Sequence, residues 1–159
     1  MTDRGDDSPI IALDKRLFDL KSDKILPKHK LLRLFNSDSV KRLVNHCNLL
    51  KVRDGQILYK EGDSTYTRSY IIVVGKIALK GFMGPQDKLG TIGIVEGGDT
   101  LGEEGVFEIA TATRKETALA EGDSYVLEIT RENFDKLKVS LENSPNKLDW
   151  FTLNNHMKK

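Results

Sequence analysis

Apolar positions change period twice along this chain. In "NSDSVKRLVNHCNLL", Val40, Leu43, Val44 and Cys47 recur at i, i+3, i+4 and i+7, one face of a helix. Residues 36–39 just ahead supply N-cap candidates, because short polar side chains accept from first-turn amides that lack a helical partner. Residues 31–35 read as a shorter apolar helix. From Lys51 the spacing becomes that of strands. "DGQILYKEGD" reads as turn, short strand, turn, and "SYIIVVGKIALKGFM" as two β-rich runs hinged at Gly75. "GPQDK" is a turn, and "LGTIGIVEGGD" is a further strand ending in glycines. "ETALA", "EGD" and "SYVLEI" follow as strand, turn, strand. Helical spacing returns at Thr130, with Phe134, Leu137 and Leu141 on one face. Ser144-Pro145 then predicts the N-cap and first-turn proline of a last helix, in which Trp150, Leu153 and Met157 fall at i, i+3 and i+7.

The N-terminal stretch lacks either period. Residues 1–9 are charged, with Gly, Ser and Pro, and are expected to be disordered. Residues 10–30 are expected to be loosely helical. The expected organisation is therefore an extension over 1–30 and one domain over 31–159. Its β-core covers about 50–129 and its C-terminal helices about 131–158. The turns Glu61-Gly62-Asp63, Glu96-Gly97-Gly98-Asp99 and Glu121-Gly122-Asp123 share one chemistry without forming a strict repeat. Many short strands with such turns point to a mainly β fold, whether sandwich, jelly roll or barrel, with flanking helices.

One stretch interrupts the β pattern. In residues 98–120, "GDTLGEEGVFEIATATRKETALA", a short helix is expected over about 103–109. The first amides of a helix have no partner within it and can face an anion, and Gly102 and Gly105 let a ligand approach the backbone. Arg114 offers a forked, permanent cation for phosphate oxygens, and Glu103 an acceptor for a sugar hydroxyl. Together they would make a sugar-phosphate site. A plainer reading stands beside this one. Thr100-x-x-Glu103 fits a capping box, and Arg114 fits a solvated charge at the start of a strand.

Composition narrows the function classes. The chain has 159 residues, 38% apolar and 31% charged, with a net charge of +1. That balance suits one soluble domain and argues against nucleic-acid or membrane binding through bulk charge. Cys47 is the only cysteine, so no internal disulfide can form, which fits a cytoplasmic setting. Its plainest role is that of a small buried apolar residue. No apolar run is long enough to span a bilayer, and "MTDRGDDSPI" is not a secretory signal. His29, His46 and His156 all lie outside the β-rich region and none is at metal-ligand spacing with another, which argues against a jelly-roll metalloenzyme. Neither a GxxxxGK[ST] loop nor a nucleophile elbow is present. No catalytic residues, metal or cofactor are expected.

Taken in order, "LLRLF" with "VKRLV", "DGQILYKEGD", "YIIVVGKIAL", "EGGDTLGEEGVF", Arg114 with "TALA" after it, and "ENFDKL" resemble the cyclic nucleotide-binding domain. That family includes cAMP- and cGMP-dependent kinases, nucleotide-gated channels and catabolite-activator proteins. The resemblance covers about residue 31 to the C-terminus. It implies an antiparallel β jelly roll with flanking helices, and identifies the stretch from Gly102 as the phosphate-binding cassette. It also implies roles: Glu103 on the ribose 2′-hydroxyl, Arg114 on the cyclic phosphate, and backbone amides around Gly105 and Val106 completing the cradle. Lys115 takes the place where cGMP-preferring members often carry Ser or Thr, which implies cAMP or an unusual selectivity. Trp150, Phe151 and Leu153 on the last helix are candidates for a lid over the base, and core positions on a terminal helix are the alternative. The implied function is a non-enzymatic cAMP or cGMP sensor whose helices repack to control an effector such as a kinase, channel or exchange-factor region, on the same chain or another. The alternative is a binding-silent interaction or structural module, with Glu104 and Glu116 disabling the pocket. Glu116 stands where the family has small residues, and it is expected to compete with phosphate for Arg114.

Overall fold

The computed structural model describes residues 5–6, 8–14, 29–63, 68–83, 88–102 and 113–157. In chain order the elements are β1 (Ala12–Leu13), a 3-10 turn at Leu32–Leu34, α1 (Ser37–Asn45), β2 (Asn48–Val52) and β3 (Ile57–Tyr59). Then come β4 (Arg68–Val74), β5 (Lys76–Met83), β6 (Lys88–Glu96) and β7 (Thr100–Leu101). β8 (Thr117–Ala120), β9 (Ser124–Thr130), α2 (Arg131–Glu142) and α3 (Leu148–Met157) complete the order. The strands form a five-stranded sheet, β1-β2-β9-β4-β7, and a four-stranded sheet, β3-β8-β5-β6. Every pairing between these strands is antiparallel. The expected mainly β jelly roll with flanking helices is the fold observed.

The run Tyr70–Val73 is apolar throughout because both faces of the five-stranded sheet are covered there. Tyr70 and Ile72 of β4, Leu50 and Val52 of β2 and Val126 of β9 point between the sheets, with Ile77, Ala118 and Ala120. Ile71, Val73, Leu49, Leu127 and Ile129 point the other way, onto Leu43 of α1, Leu137 of α2 and Leu153 of α3. Alternation along each strand divides its side chains between these two cores. Cys47 is buried in the second of them.

Helix starts follow from local chemistry, with one correction. Asn36 caps α1 by accepting from the Ser39 amide at 2.9 Å. Thr130 caps α2 through the Asn133 amide at 3.2 Å. Ser144 was expected to open the last helix. Its hydroxyl instead donates back to the Leu141 carbonyl at 2.7 Å and closes α2. Asn146 takes the opening role: its side-chain oxygen accepts from the Leu148 amide and its carbonyl from the Asp149 amide. The short polar side chain nearest the first turn wins over the one before the proline.

The N-terminal stretch also departs from expectation where it is described. Asp6 bridges Gln56 beside β3, while Ala12–Leu13 pairs with β2 in the other sheet. The Gln56 amide donates to the Ser8 and Pro9 carbonyls between these points. Residues 5–6 and 8–14 therefore strap the open edge of the sandwich as extended chain. Unpaired edge amides of β2 and β3 supply the partners, and a helix could not reach both sheets. The expected helix over 103–109 and the "GPQDK" turn fall on residues outside the described ones, wholly or in large part.

Candidate functional site

Arg114 is seated by its backbone before its side chain acts. In the turn Glu61-Gly62-Asp63, the Asp63 carboxylate accepts from the Lys60 amide at 3.0 Å. The Gly62 amide donates to the Arg114 carbonyl at 2.9 Å, and the Arg114 amide to the Asp63 carbonyl at 2.7 Å. Thr117 accepts from the Glu61 amide at 3.0 Å. The acidic-glycine turn read from the sequence as punctuation is thus the seat of the key cation.

The guanidinium is only 2% exposed, which corrects the reading of Arg114 as a solvated surface charge. Its Nη1 donates to the Gly102 carbonyl at 3.2 Å and its Nη2 to the Arg68 carbonyl at 2.8 Å. The Ser69 hydroxyl donates to the same Gly102 carbonyl at 2.7 Å, fixing that bend against β4. Gly102 has φ +68°, and a β-carbon there would lie 2.5 Å from Arg114 Nη1. Glycine is required on both counts: the conformation is left-handed, and the cation occupies the space of a side chain.

Two rings complete the seat. The guanidinium carbon lies 4.4 Å from the Tyr59 ring centre and 5.8 Å from that of Tyr70. The rings stack on each other at 6.1 Å. Aromatic faces attract a cation without neutralising it, so they hold Arg114 while leaving its charge in place. The register of β3 against β8 shifts between Ile57 and Tyr59, the irregularity that accompanies Tyr59 at the guanidinium. The Tyr59 hydroxyl donates to Glu116 Oε1 at 2.7 Å. The carboxylate expected to compete for Arg114 is therefore engaged by Tyr59.

The other side of Tyr70 belongs to a second polar group. A cavity of about 400 Å³ lies under the strap, lined in part by Pro9, Asn48, Arg68, Tyr70 and Glu128. Glu128 accepts from Asn48 Nδ2 at 3.3 Å and pairs with Arg68 at 3.7 Å. Burial, then the Glu128 carboxylate, pushes the Tyr70 pKa up to about 12. Tyr70 is thus a neutral wall between this cavity and Arg114.

Of the sequence-predicted residues, Gly102 and Arg114 meet, and Lys115 is exposed beside them. Glu103, Glu104, Gly105 and Val106 lie outside the described residues. The lid candidates divide. Trp150 and Leu153 are buried behind the five-stranded sheet, with Trp150 packed on Phe134 at 5.2 Å, and only Phe151 is exposed. In this structure Trp150 and Leu153 are core residues, because the apolar outer face of β4 and β9 needs covering. Tyr59, Ser69 and Tyr70 were missed. The β3 irregularity leaves no trace in the pattern of apolar residues, and Ser69 reads as an ordinary strand residue.

The turn that leads into β7 is held from two distant parts of the chain. His156 of α3 hydrogen-bonds the Gly98 carbonyl at 2.9 Å, and Lys30 pairs with Asp99 at 3.2 Å. His29 is buried beneath. Its Nε2 donates to the Ile72 carbonyl at 2.9 Å, and its Nδ1 accepts from the Leu31 and Leu32 amides. Burial lowers its pKa, because the charged imidazolium would lose its hydration there. Among the described residues there is no cluster of His, Cys, Asp and Glu able to hold a metal, and no helix long and apolar enough to cross a membrane.

Comparison with known proteins bears on this geometry. Residues 49–139 match the family profile of the cyclic nucleotide-binding domain. A cyclic nucleotide-binding-like protein from Brucella abortus is 32% identical, over 72% of this chain and 94% of its own, with a TM-score of 0.55. The catabolite activator protein of Thermus thermophilus is 19% identical, over 79% of this chain and 55% of its own, at TM-score 0.63. The regulatory domain of Toxoplasma gondii PKA, solved with cAMP, is 19% identical over 72% and 42% of the two chains, at TM-score 0.56. The last two likenesses speak for fold alone. No curated protein matches the sequence.

Proposed function

Because the chain belongs to the cyclic nucleotide-binding domain family, we propose that it is a non-enzymatic sensor that binds cAMP or cGMP at Arg114 and the bend at Gly102. The observation that carries this reading is the buried guanidinium held on carbonyls and ring faces and directed at the Gly102 bend. A cyclic phosphate arriving there gains charge-assisted bonds to a cation already ordered and mostly dehydrated. Glu103 would hold the ribose hydroxyl, and amides around Gly105 and Val106 would complete the phosphate cradle. Lys115, exposed at the rim, favours cAMP over cGMP in this reading.

The effector side follows from the connection to α3. Ligand at the cassette would shift the turn at Gly98, which His156 ties to α3, and so bias the helices toward one arrangement. It can do so only by binding one arrangement more tightly than the other. The partner is an effector such as a kinase, channel or exchange-factor region, on this chain or another. A cytoplasmic setting belongs to the same proposal and is supported by the lone, buried Cys47.

Calorimetric titration with cAMP and cGMP side by side tests the proposal. Saturable binding that Arg114→Ala weakens by about ten- to a hundredfold for each lost bond supports it. Failure of both nucleotides to bind at millimolar concentration leaves the silent module instead.

A further inference from the structure

Glu116 is the residue that should spoil the site. It follows Arg114 by two positions, where a carboxylate free to reach the guanidinium would take the place of a phosphate. Yet its Oε1 accepts the Tyr59 hydroxyl at 2.7 Å, and the same Tyr59 ring lies 4.4 Å from the guanidinium carbon. One side chain therefore touches both charges, with its face on the cation and its hydroxyl on the anion.

We infer that Tyr59 is a positioning residue that holds the Glu116 carboxylate on its own hydroxyl, so that Glu116 does not compete with an anionic ligand for Arg114. The inference rests on the nucleotide-binding reading for its ligand, but not for its geometry. A phenol hydroxyl bonded to a carboxylate is a short, charge-assisted contact that a half-buried setting strengthens. Phenylalanine in its place keeps the ring, the packing and the cation contact, and removes only the hydroxyl. The carboxylate then loses its donor beside a buried cation, and the guanidinium is the strongest donor at hand. Glutamine at 116 keeps the shape but cannot form that ion pair.

The test is a double-mutant cycle read by titration with cAMP and cGMP. Tyr59→Phe is expected to weaken binding by about tenfold, the worth of one charge-assisted bond. Glu116→Gln alone is expected to bind like the parent or tighter. The double variant Tyr59→Phe/Glu116→Gln is expected to recover parental affinity to within about twofold. Recovery separates this role from plain packing, which a second substitution would not repair. A Tyr59→Phe protein that binds as well as the parent, or a double variant as weak as Tyr59→Phe, overturns the inference. A ligand-free arm keeps the two proposals distinct. The Arg114 Nε–Hε NMR signal should shift in Tyr59→Phe and return in the double variant. If the parent binds neither nucleotide, the sensor reading fails, and this signal alone decides the role of Tyr59: no shift in Tyr59→Phe overturns it.

Discussion

Arg114 is a cation taken almost out of water, and most residue-level expectations follow from that. One of the two readings of the sequence made it a solvated charge at the start of a strand, a setting in which a charge adds little to stability. Its burial and its two carbonyl partners change the expectation. Arg114→Ala should lower stability by about 1–3 kcal/mol, the cost of buried acceptors left without a donor. Chemical denaturation measures this, and nucleotide titration belongs well below the melting temperature. Gly75 carries a stricter constraint. Its φ is +108°, and a β-carbon would overlap the Ser124 side chain. Gly75→Ala should cost more than 1 kcal/mol by the same assay, since both the backbone and the β4–β5 hinge resist it. His29 sets a pH dependence. Its folded pKa is lowered, so the unfolded chain takes up a proton that the folded chain refuses. The stability it contributes is complete above the ordinary histidine value near 6.5 and falls away as the pH drops below it. Melting temperature against pH should decline on the acid side of about 6.5, and less steeply in His29→Ala.

At the scale of elements, the helices are joined to one another as well as to the sheet. Asp149, buried in the first turn of α3, accepts from the Asn36 amide at 3.2 Å and from the Asn146 side chain at 3.0 Å. It therefore ties the N-cap of α1 to the start of α3. Asp149→Ala should cost about 1–3 kcal/mol, with hydrogen exchange rising at both helix starts rather than at one. Leu153 lies fully within the core behind the five-stranded sheet. Leu153→Ala should cost about 2–5 kcal/mol in chemical denaturation, where a lid residue would instead change ligand affinity. The element pattern was readable where a helix or strand has one face to bury. The period of Val40, Leu43, Val44 and Cys47 predicts α1, and the caps at Asn36 and Thr130 sit where short polar side chains precede it and α2. It was unreadable in the strap, because the partners of Asp6 and Ala12–Leu13 lie on two different sheets far along the chain.

The whole molecule brings three distant segments to one turn. Lys30 from the N-terminal side, His156 from α3 and Ile72 from the sheet all contact residues Gly98–Asp99, directly before β7 and Gly102. A ligand bound at Gly102, as proposed, would have a short route to Lys30 and to α3. His156→Ala should leave nucleotide affinity within a few fold while reducing the ligand-dependent change in hydrogen exchange over α3, if this contact carries the coupling.

The order and spacing of apolar residues determined by themselves that this is a β-core between helices, because period records which faces must leave water. The ordered motifs also pointed to Gly102 and Arg114 as one site. Tertiary structure alone decided how Arg114 is held, that Tyr59 touches both it and Glu116, and that Trp150 and Leu153 are buried in the core behind the five-stranded sheet. Those outcomes depend on which face of a strand meets which neighbour across the fold, and contacts between residues far apart in the chain leave no period in the sequence.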